Sequence, residues 1–384
     1  MRQLGTKNGN GSQRVILRKS APSEKMRNIV LDFDQKDSKF LANLRAVAIF
    51  VIVFGHVGGF WIFGPASKFL LVFLSLFFFI SGVVTFVSIQ KRPSLFRWTI
   101  RRFLSLYIPY ILFCIIPLAV YIFSHHSLPL LSKKALISWL KMYPSSAYMP
   151  YPLGHLWFIQ TLMIISIFLA PLMFLLFIRN KLLIYFSFLA IFVLSFFSFT
   201  DPHSDIAFFS YWGINLYKPL TYSLFYIIGW LYLTDRKLFY SNRLLFLGIL
   251  FFIFLVFLSL KIYHSPYFEG HIHPPDVYFI AGSILFILLL SRVQSFINFL
   301  FSFPVFKSFS IFFFNHTYSI YLLHTFAIFL SETVFAFLLP SNKNLIYGII
   351  KLNIVLIITC LLAVIFDQFS KKATKYVLNK LHLC

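Results

Sequence analysis

A chain of 384 residues that is 59% hydrophobic and only 12% charged carries about half the charge of an ordinary soluble domain, which excludes a soluble globular protein and points to one that crosses a membrane many times. Its formal charge of +23 would suit nucleic acid, but basic residues in a membrane protein first record orientation. The three cysteines, Cys114, Cys360 and Cys384, include two inside apolar runs, so no disulfide framework, zinc site or redox pair is read from them.

Residues 1–38 are polar and rich in Gly, Ser, Asn, Lys and Arg, and read as a disordered basic cytoplasmic leader. The apolar run that follows is too long and too far from the start for a cleaved secretory signal. Stretches of about 18 to 23 apolar residues predict ten spans, over 41–63, 68–89, 103–123, 155–178, 182–200, 216–234, 243–262, 276–291, 318–339 and 346–366. The expected fold is an all-α polytopic membrane bundle over 39–366 with a short basic cytoplasmic tail at 367–384. The stretch 295–314, interrupted by Pro304 and Lys307, reads as interfacial or re-entrant, and the 53 phenylalanines read as lipid-facing bulk.

With the N-terminus inside, the alternate segments that would face the cytoplasm hold 25 of the 34 Lys and Arg residues, against seven in the segments between them. Topology therefore accounts for most of the net charge, both termini are expected in the cytoplasm, and nucleic-acid binding loses its support. Of the outer segments, 124–154 carries Trp139 and several tyrosines suited to the headgroup level. The segment from Tyr263 to Asp276 holds His271, His273 and Asp276, a spacing able to ligate a metal; three prolines and an open setting favour a solvated loop instead, and no metal is expected.

The first span places Arg45 and His56 eleven residues apart. Eleven steps of about 100° return to within roughly 20° of the starting direction, so both share one helical face, roughly 16 Å apart along the axis. An arginine inside a span costs from ~2.5 kcal/mol upward, and a functional cavity is the expected compensation. Glu332 is the one acid well inside a predicted span.

Several phrases occur together. Leu44-Arg45-Ala46-Val47-Ala48 with His56 resembles the Arg-x10-His motif of the membrane-bound acyltransferase-3 family. Phe77-Phe78-Phe79-Ile80-Ser81-Gly82, the run from Arg101-Arg102 to Pro109-Tyr110, Gly154-His155-Leu156-Trp157-Phe158 and Tyr318-Ser319-Ile320-Tyr321-Leu322-Leu323-His324 resemble later phrases of the same family, in the same order. The resemblance covers roughly 38–366. It departs at Ser105, where many members carry a second arginine three residues after Arg102.

The resemblance implies an O-acyltransferase of the bacterial inner membrane that moves an acyl group, most simply acetyl, from cytoplasmic acyl-CoA to a hydroxyl of a surface polysaccharide, lipopolysaccharide or lipid-linked sugar. Acyl transfer needs a base, and burial disfavours a charged imidazole, which suits His56. Arg45 would anchor donor or substrate, and Arg97, Arg101 and Arg102 offer guanidinium forks for the phosphates of CoA. His155, Trp157, His324 and Glu332 are candidates for the acceptor side. Structural roles compete for each: Arg45 as a snorkelling residue, Arg101 and Arg102 as topology anchors, Trp157 as an interface anchor, His56 and His324 as packing histidines, and Ser81 as helix-packing glue rather than a nucleophile. The rival functions are a polysaccharide or glycolipid exporter and a structural membrane scaffold. The oligomeric state is not legible.

Overall fold

The computed structural model describes residues 35–57, 64–91, 94–125, 139–142, 153–200, 210–211, 214–272, 274–338 and 345–383. The greater part of the expected leader, and of the 124–154 segment, lies outside them. The chain is a helical bundle. Helices α1 (Gln35–Val57), α2 (Phe73–Gln90, entered through a 3-10 segment at Gly64–Val72) and α3 (Leu95–His125) come first. The fourth span is composite: a 3-10 turn at Gly154–Leu156, α4 (Trp157–Ile164), a π-helical turn at Ile165–Leu169 and α5 (Ala170–Arg179). Then follow α6 (Lys181–Thr200), a two-residue antiparallel pair of Ser210–Tyr211 with Ile214–Asn215, α7 (Tyr217–Thr234), the single turn α8 (Arg236–Phe239), α9 (Asn242–Tyr263), α10 (Val277–Arg292), α11 (Gln294–Leu300), α12 (Pro304–Leu338) and α13 (Leu345–Lys380).

A helix underlies each of the ten expected spans, but length and apolarity alone support fewer crossings. Among the described residues seven helices are long and apolar enough, or up to eight if α10 and α11, bent by 68°, form one broken span. Helices α7 and α12 fall outside that count, and both carry polar residues through their length. The stretch 295–314 divides between two elements: its first part is α11, and from Pro304 onward it is the start of a 35-residue helix. Pro304 begins that helix rather than interrupting it, as suits a residue lacking an amide hydrogen.

The centre of the bundle is α7. Its residues Thr221 to Tyr232 are all buried, as expected of a helix enclosed by others on every side. It lies backbone to backbone against α2 because glycines meet there: a Cβ on Gly82 would sit 2.5 Å from the Tyr226 carbonyl oxygen, and one on Gly229 would sit 2.4 Å from that of Phe79. Small residues permit such approaches, which drive association where lipid gives no hydrophobic incentive. Around this crossing Phe78, Phe79, Phe86, Phe158, Phe225 and Trp230 are buried, with Phe86 and Trp230 at 5.3 Å and Phe78 and Phe158 at 4.9 Å between ring centroids. Part of the phenylalanine content is thus interior packing, while Phe168, Phe186, Phe246, Phe254 and Phe257 among others are exposed. Trp139 is also buried, and its carbonyl accepts from Tyr110 Oη at 2.7 Å, so it packs against α3 rather than standing free.

Helix α1 packs along α12, and α12 along α13. At the basic end, the α1 carboxylate of Asp37 is buried, accepts from Gln294 Nε2 at 2.9 Å and pairs with Arg236, while Asn43 accepts from Ser310 Oγ at 2.6 Å. These bonds fix α1 against α11 and α12. That fixation sets the register of Arg45 and His56.

Candidate active site

His56 lies in the last turn of α1. Its Nδ1 is 2.9 Å from the Ile52 carbonyl oxygen, one turn back. A carbonyl only accepts, so Nδ1 carries the proton and Nε2 keeps its lone pair. The ring is exposed where it faces a cavity of about 120 Å³ lined by His56, Ser67, Leu74, His155, Trp157, Ile272 and Tyr321. Two further imidazoles stand beside it. His324 of α12 has its ring centroid 4.9 Å from that of His56, and His155 lies 5.0 Å from His324. His324 repeats the arrangement of His56, with Nδ1 2.7 Å from the carbonyl of Tyr321 and a buried Nε2 left without a partner. Among the described residues, no group of three or more His, Cys, Asp or Glu is disposed to hold a metal ion.

Arg45, three turns earlier on α1, opens on a second and larger cavity of about 530 Å³, at the basic end of the bundle. Arg101 and Arg102 of α3 line it with Arg45, as do Ser81 and Ser105. Arg45 lies over the ring of Phe314 at 5.4 Å, and none of the described ion pairs involves these three arginines. The Nε of Arg102 is buried without an acceptor. Ser105, standing where an arginine was expected, directs its hydroxyl to the Arg101 carbonyl at 2.7 Å, so of the α3 cations Arg101 and Arg102 line this cavity.

Tyr321 lines both cavities. Its ring is almost wholly buried, and its hydroxyl donates to the His155 carbonyl. One aromatic side chain therefore stands between the imidazole cluster and the arginine cluster. Phe158 and Leu162 of the fourth span border the arginine side.

The candidates named from sequence do not all meet here. Arg45, Arg101 and Arg102 come together, and so do His56, His155, Trp157 and His324. Arg97 is exposed and lines neither cavity. Glu332 is also exposed and pairs with Lys351 at 2.8 Å. It lies eight residues beyond His324, about 80° away around the helix, and does not adjoin His56.

Two features were missed. The tail after 366 is helical and lines the larger cavity with Asp367, Ser370, Lys371, Thr374, Lys375 and Leu378. Their spacing is one helical face, a signal present in the sequence and read there only as basic charge. The second is His271. The open-loop reading is overturned: His271 and Asp276 are each 2% exposed, with Nδ1 of the histidine 2.5 Å from Oδ2 of the aspartate and Nε2 3.2 Å from Ser259 Oγ. Burial holds the Asp276 carboxyl above its usual range. His273 lies outside the described residues.

Residues 38–366 match a family described as an acyltransferase domain, the acyltransferase-3 group. No curated protein and no solved structure match the chain. The match spans nearly all of the bundle, the smaller cavity and the larger one except for its lining after residue 366, and the chain belongs to the acyltransferase-3 family of membrane acyltransferases.

Proposed function

We propose that this acyltransferase moves an acyl group, in the simplest case acetyl, from cytoplasmic acyl-CoA to a hydroxyl of a cell-surface glycan or lipid-linked sugar, across the inner membrane of a bacterium with both termini in the cytoplasm. The observation that carries the reading is the pair of cavities meeting at Tyr321, one lined by arginines and the other by an imidazole with a free Nε2.

The chemistry follows from those two environments. Guanidinium groups bind phosphate oxygens in a planar fork, so Arg45, Arg101 and Arg102 suit the nucleotide end of the donor. The thioester must then pass the position of Tyr321 to reach His56. There Nε2 takes the proton of the acceptor hydroxyl as its oxygen attacks the thioester carbonyl carbon. The carbon–sulfur bond breaks, and the thiolate recovers the proton from the imidazolium, giving an ester and free CoA. Trp157 offers an aromatic face and His155 a polar wall for the acceptor. His324, its ring against His56, helps to hold that imidazole in orientation. The π-turn at Ile165–Leu169 lets Ser166 bond Tyr226 at 2.8 Å, and such turns are frequent at functional sites.

The test is mass spectrometry of surface glycans from cells with and without the protein. Loss of an acyl increment is expected. Unchanged acylation with reduced glycan export would replace this reading with that of an exporter.

A further inference from the structure

The larger cavity has a wall that acyl transfer as written above does not use. Its lining holds five cations, Arg45, Arg101, Arg102, Lys371 and Lys375, and one acid, Asp367. That acid is already engaged, accepting from His316 Nδ1 at 2.6 Å, from Lys371 Nζ at 2.7 Å and from the Ser319 hydroxyl. The remaining positive charge has no carboxylate among the described ion pairs. A cationic cleft of this kind is matched by a ligand with several negative charges.

Two polar atoms in the same lining point the same way. Arg102 Nε is buried with no acceptor, and Thr374 Oγ1 is buried with no partner. Helical threonines can satisfy their hydroxyl at the carbonyl one turn back. Thr99, Thr221 and Thr317 all do so here, at 2.9, 3.0 and 2.6 Å. Thr374, like Thr234 and Thr359, leaves that bond unmade, and of the three it is the one that lines this cavity. A buried polar group left unsatisfied carries an uncompensated desolvation cost, and a phosphate brings the acceptor oxygens that would satisfy both groups. The α13 extension is held over the cavity mouth from its far end as well, where Arg101 Nη1 donates to the Leu383 carbonyl at 3.5 Å.

We propose that the basic end of α13 completes the donor cavity, with Lys375 and Thr374, beside Arg102, holding the terminal phosphomonoester of the acyl donor. A phosphomonoester, with ~1.5 to 2 negative charges and three acceptor oxygens, can meet an ammonium, a hydroxyl and a guanidinium N–H at once, whereas each phosphate of a diphosphate has fewer free oxygens. The assignment rests on the reading of acyl-CoA as donor. It makes the last two turns of α13 part of the binding site.

The experiment measures binding of CoA and of dephospho-CoA, which lacks only the phosphomonoester, to the purified full-length protein in nanodiscs. Wild type should favour CoA by about tenfold or more, the scale of one charge-assisted contact. Lys375→Gln and Thr374→Val should each lose most of that preference, with dephospho-CoA binding unchanged. Lys372→Gln, which alters an exposed neighbour outside the lining, should keep it. If wild type binds both ligands equally, the subsite is refuted while the donor reading stands; if it binds neither, the donor reading itself fails and takes the subsite with it. Preference retained in Lys375→Gln and Thr374→Val would place the phosphomonoester elsewhere. An equal loss in Lys372→Gln would reduce the effect to diffuse surface charge and overturn the assignment.

Discussion

Two histidine sites in this molecule differ in an instructive way. Ser259, His271 and Asp276 have the connectivity of a hydrolase triad, serine to imidazole to carboxylate. His56 has no described carboxylate partner, only a backbone carbonyl and a second imidazole. Connectivity alone would choose the first as the catalytic centre, and access chooses the second. Ser259 is fully buried and donates its single proton to the Ser265 carbonyl at 2.7 Å, so that proton is not offered to the imidazole. Phe199, Tyr263 and Tyr278 enclose the His271 ring at 5.9, 4.6 and 4.9 Å. Asp276 is at the same time the N-cap of α10, accepting from the Phe279 amide at 3.0 Å. The triad is a clasp. It closes the loop from Phe268 to Asp276, whose Ile272 forms part of the wall of the His56 cavity.

The comparison is broken most directly at His56. A general base contributes about 10²–10⁴-fold to the rate, and glutamine can imitate the hydrogen bond to Ile52 but cannot take a proton at neutral pH. His56→Gln should therefore lose acyl transfer by that factor with thermal stability close to wild type. The measurement is turnover of purified protein in nanodiscs beside a melting curve, and near-wild-type turnover would make His56 a packing residue and move the search for the base to His324 and His155.

At the clasp the prediction inverts. Removing one partner of a buried pair leaves the other uncompensated, at a cost of about 3–5 kcal/mol. His271→Ala should lower stability on that scale and reduce the yield of folded protein, while the fraction that folds retains the donor affinity of wild type. Denaturation and CoA titration of the same preparation separate the two effects. A folded His271→Ala protein of unchanged stability would refute the clasp.

How much of this was legible in the sequence depended on how far apart the contributing residues lie. Arg45 and His56 could be placed on one face because helical periodicity fixes neighbours within a span, and α1 puts them, three turns apart, on two cavities that share Tyr321 as a wall. The fold class followed from apolar runs. Each of the ten expected spans has a helix beneath it, whereas length and apolarity alone count seven or eight, because α7 and α12, which carry the central packing and the site, are the helices whose polar residues dilute the apolar signal. The approach of His155 to His324 joins residues of different spans, and no local pattern encodes it. The error at Asp276 arose because prolines and polar residues in a loop suggest solvent, whereas the aromatic rings of α6, α9 and α10 seal that loop. Glu332 was singled out by burial expected from its span; the helix turns it outward to Lys351.

A smaller effect is expected where the imidazole site connects to its cations, a connection the clasp lacks. Lysine at position 45 keeps the charge but replaces a planar fork with a point charge, so Arg45→Lys should weaken donor binding by several-fold to about tenfold, on the order of one charge-assisted hydrogen bond. Membrane insertion should be intact. Titration with CoA checks it, and unchanged affinity would argue that Arg45 only reaches toward the interface.

The smallest expected effect is the most discriminating. If the buried triad were a nucleophilic centre, Ser259 would form the acyl intermediate, and its loss would abolish transfer. If it is a clasp, Ser259→Ala removes one hydroxyl that bonds the Ser265 carbonyl and one contact to His271, both in a sealed site. Net hydrogen-bond contributions are ~0.5–1.5 kcal/mol, and unsatisfied buried partners add ~1–3 kcal/mol, so a stability loss of about 1–2 kcal/mol is expected with acyl transfer per folded molecule unchanged. Transfer and melting temperature measured on one Ser259→Ala sample decide between the roles. Transfer abolished at unaltered stability would reverse the assignment of the two histidine sites, because it would show acceptor or donor reaching a serine that the packing of Phe199, Tyr263 and Tyr278 closes off.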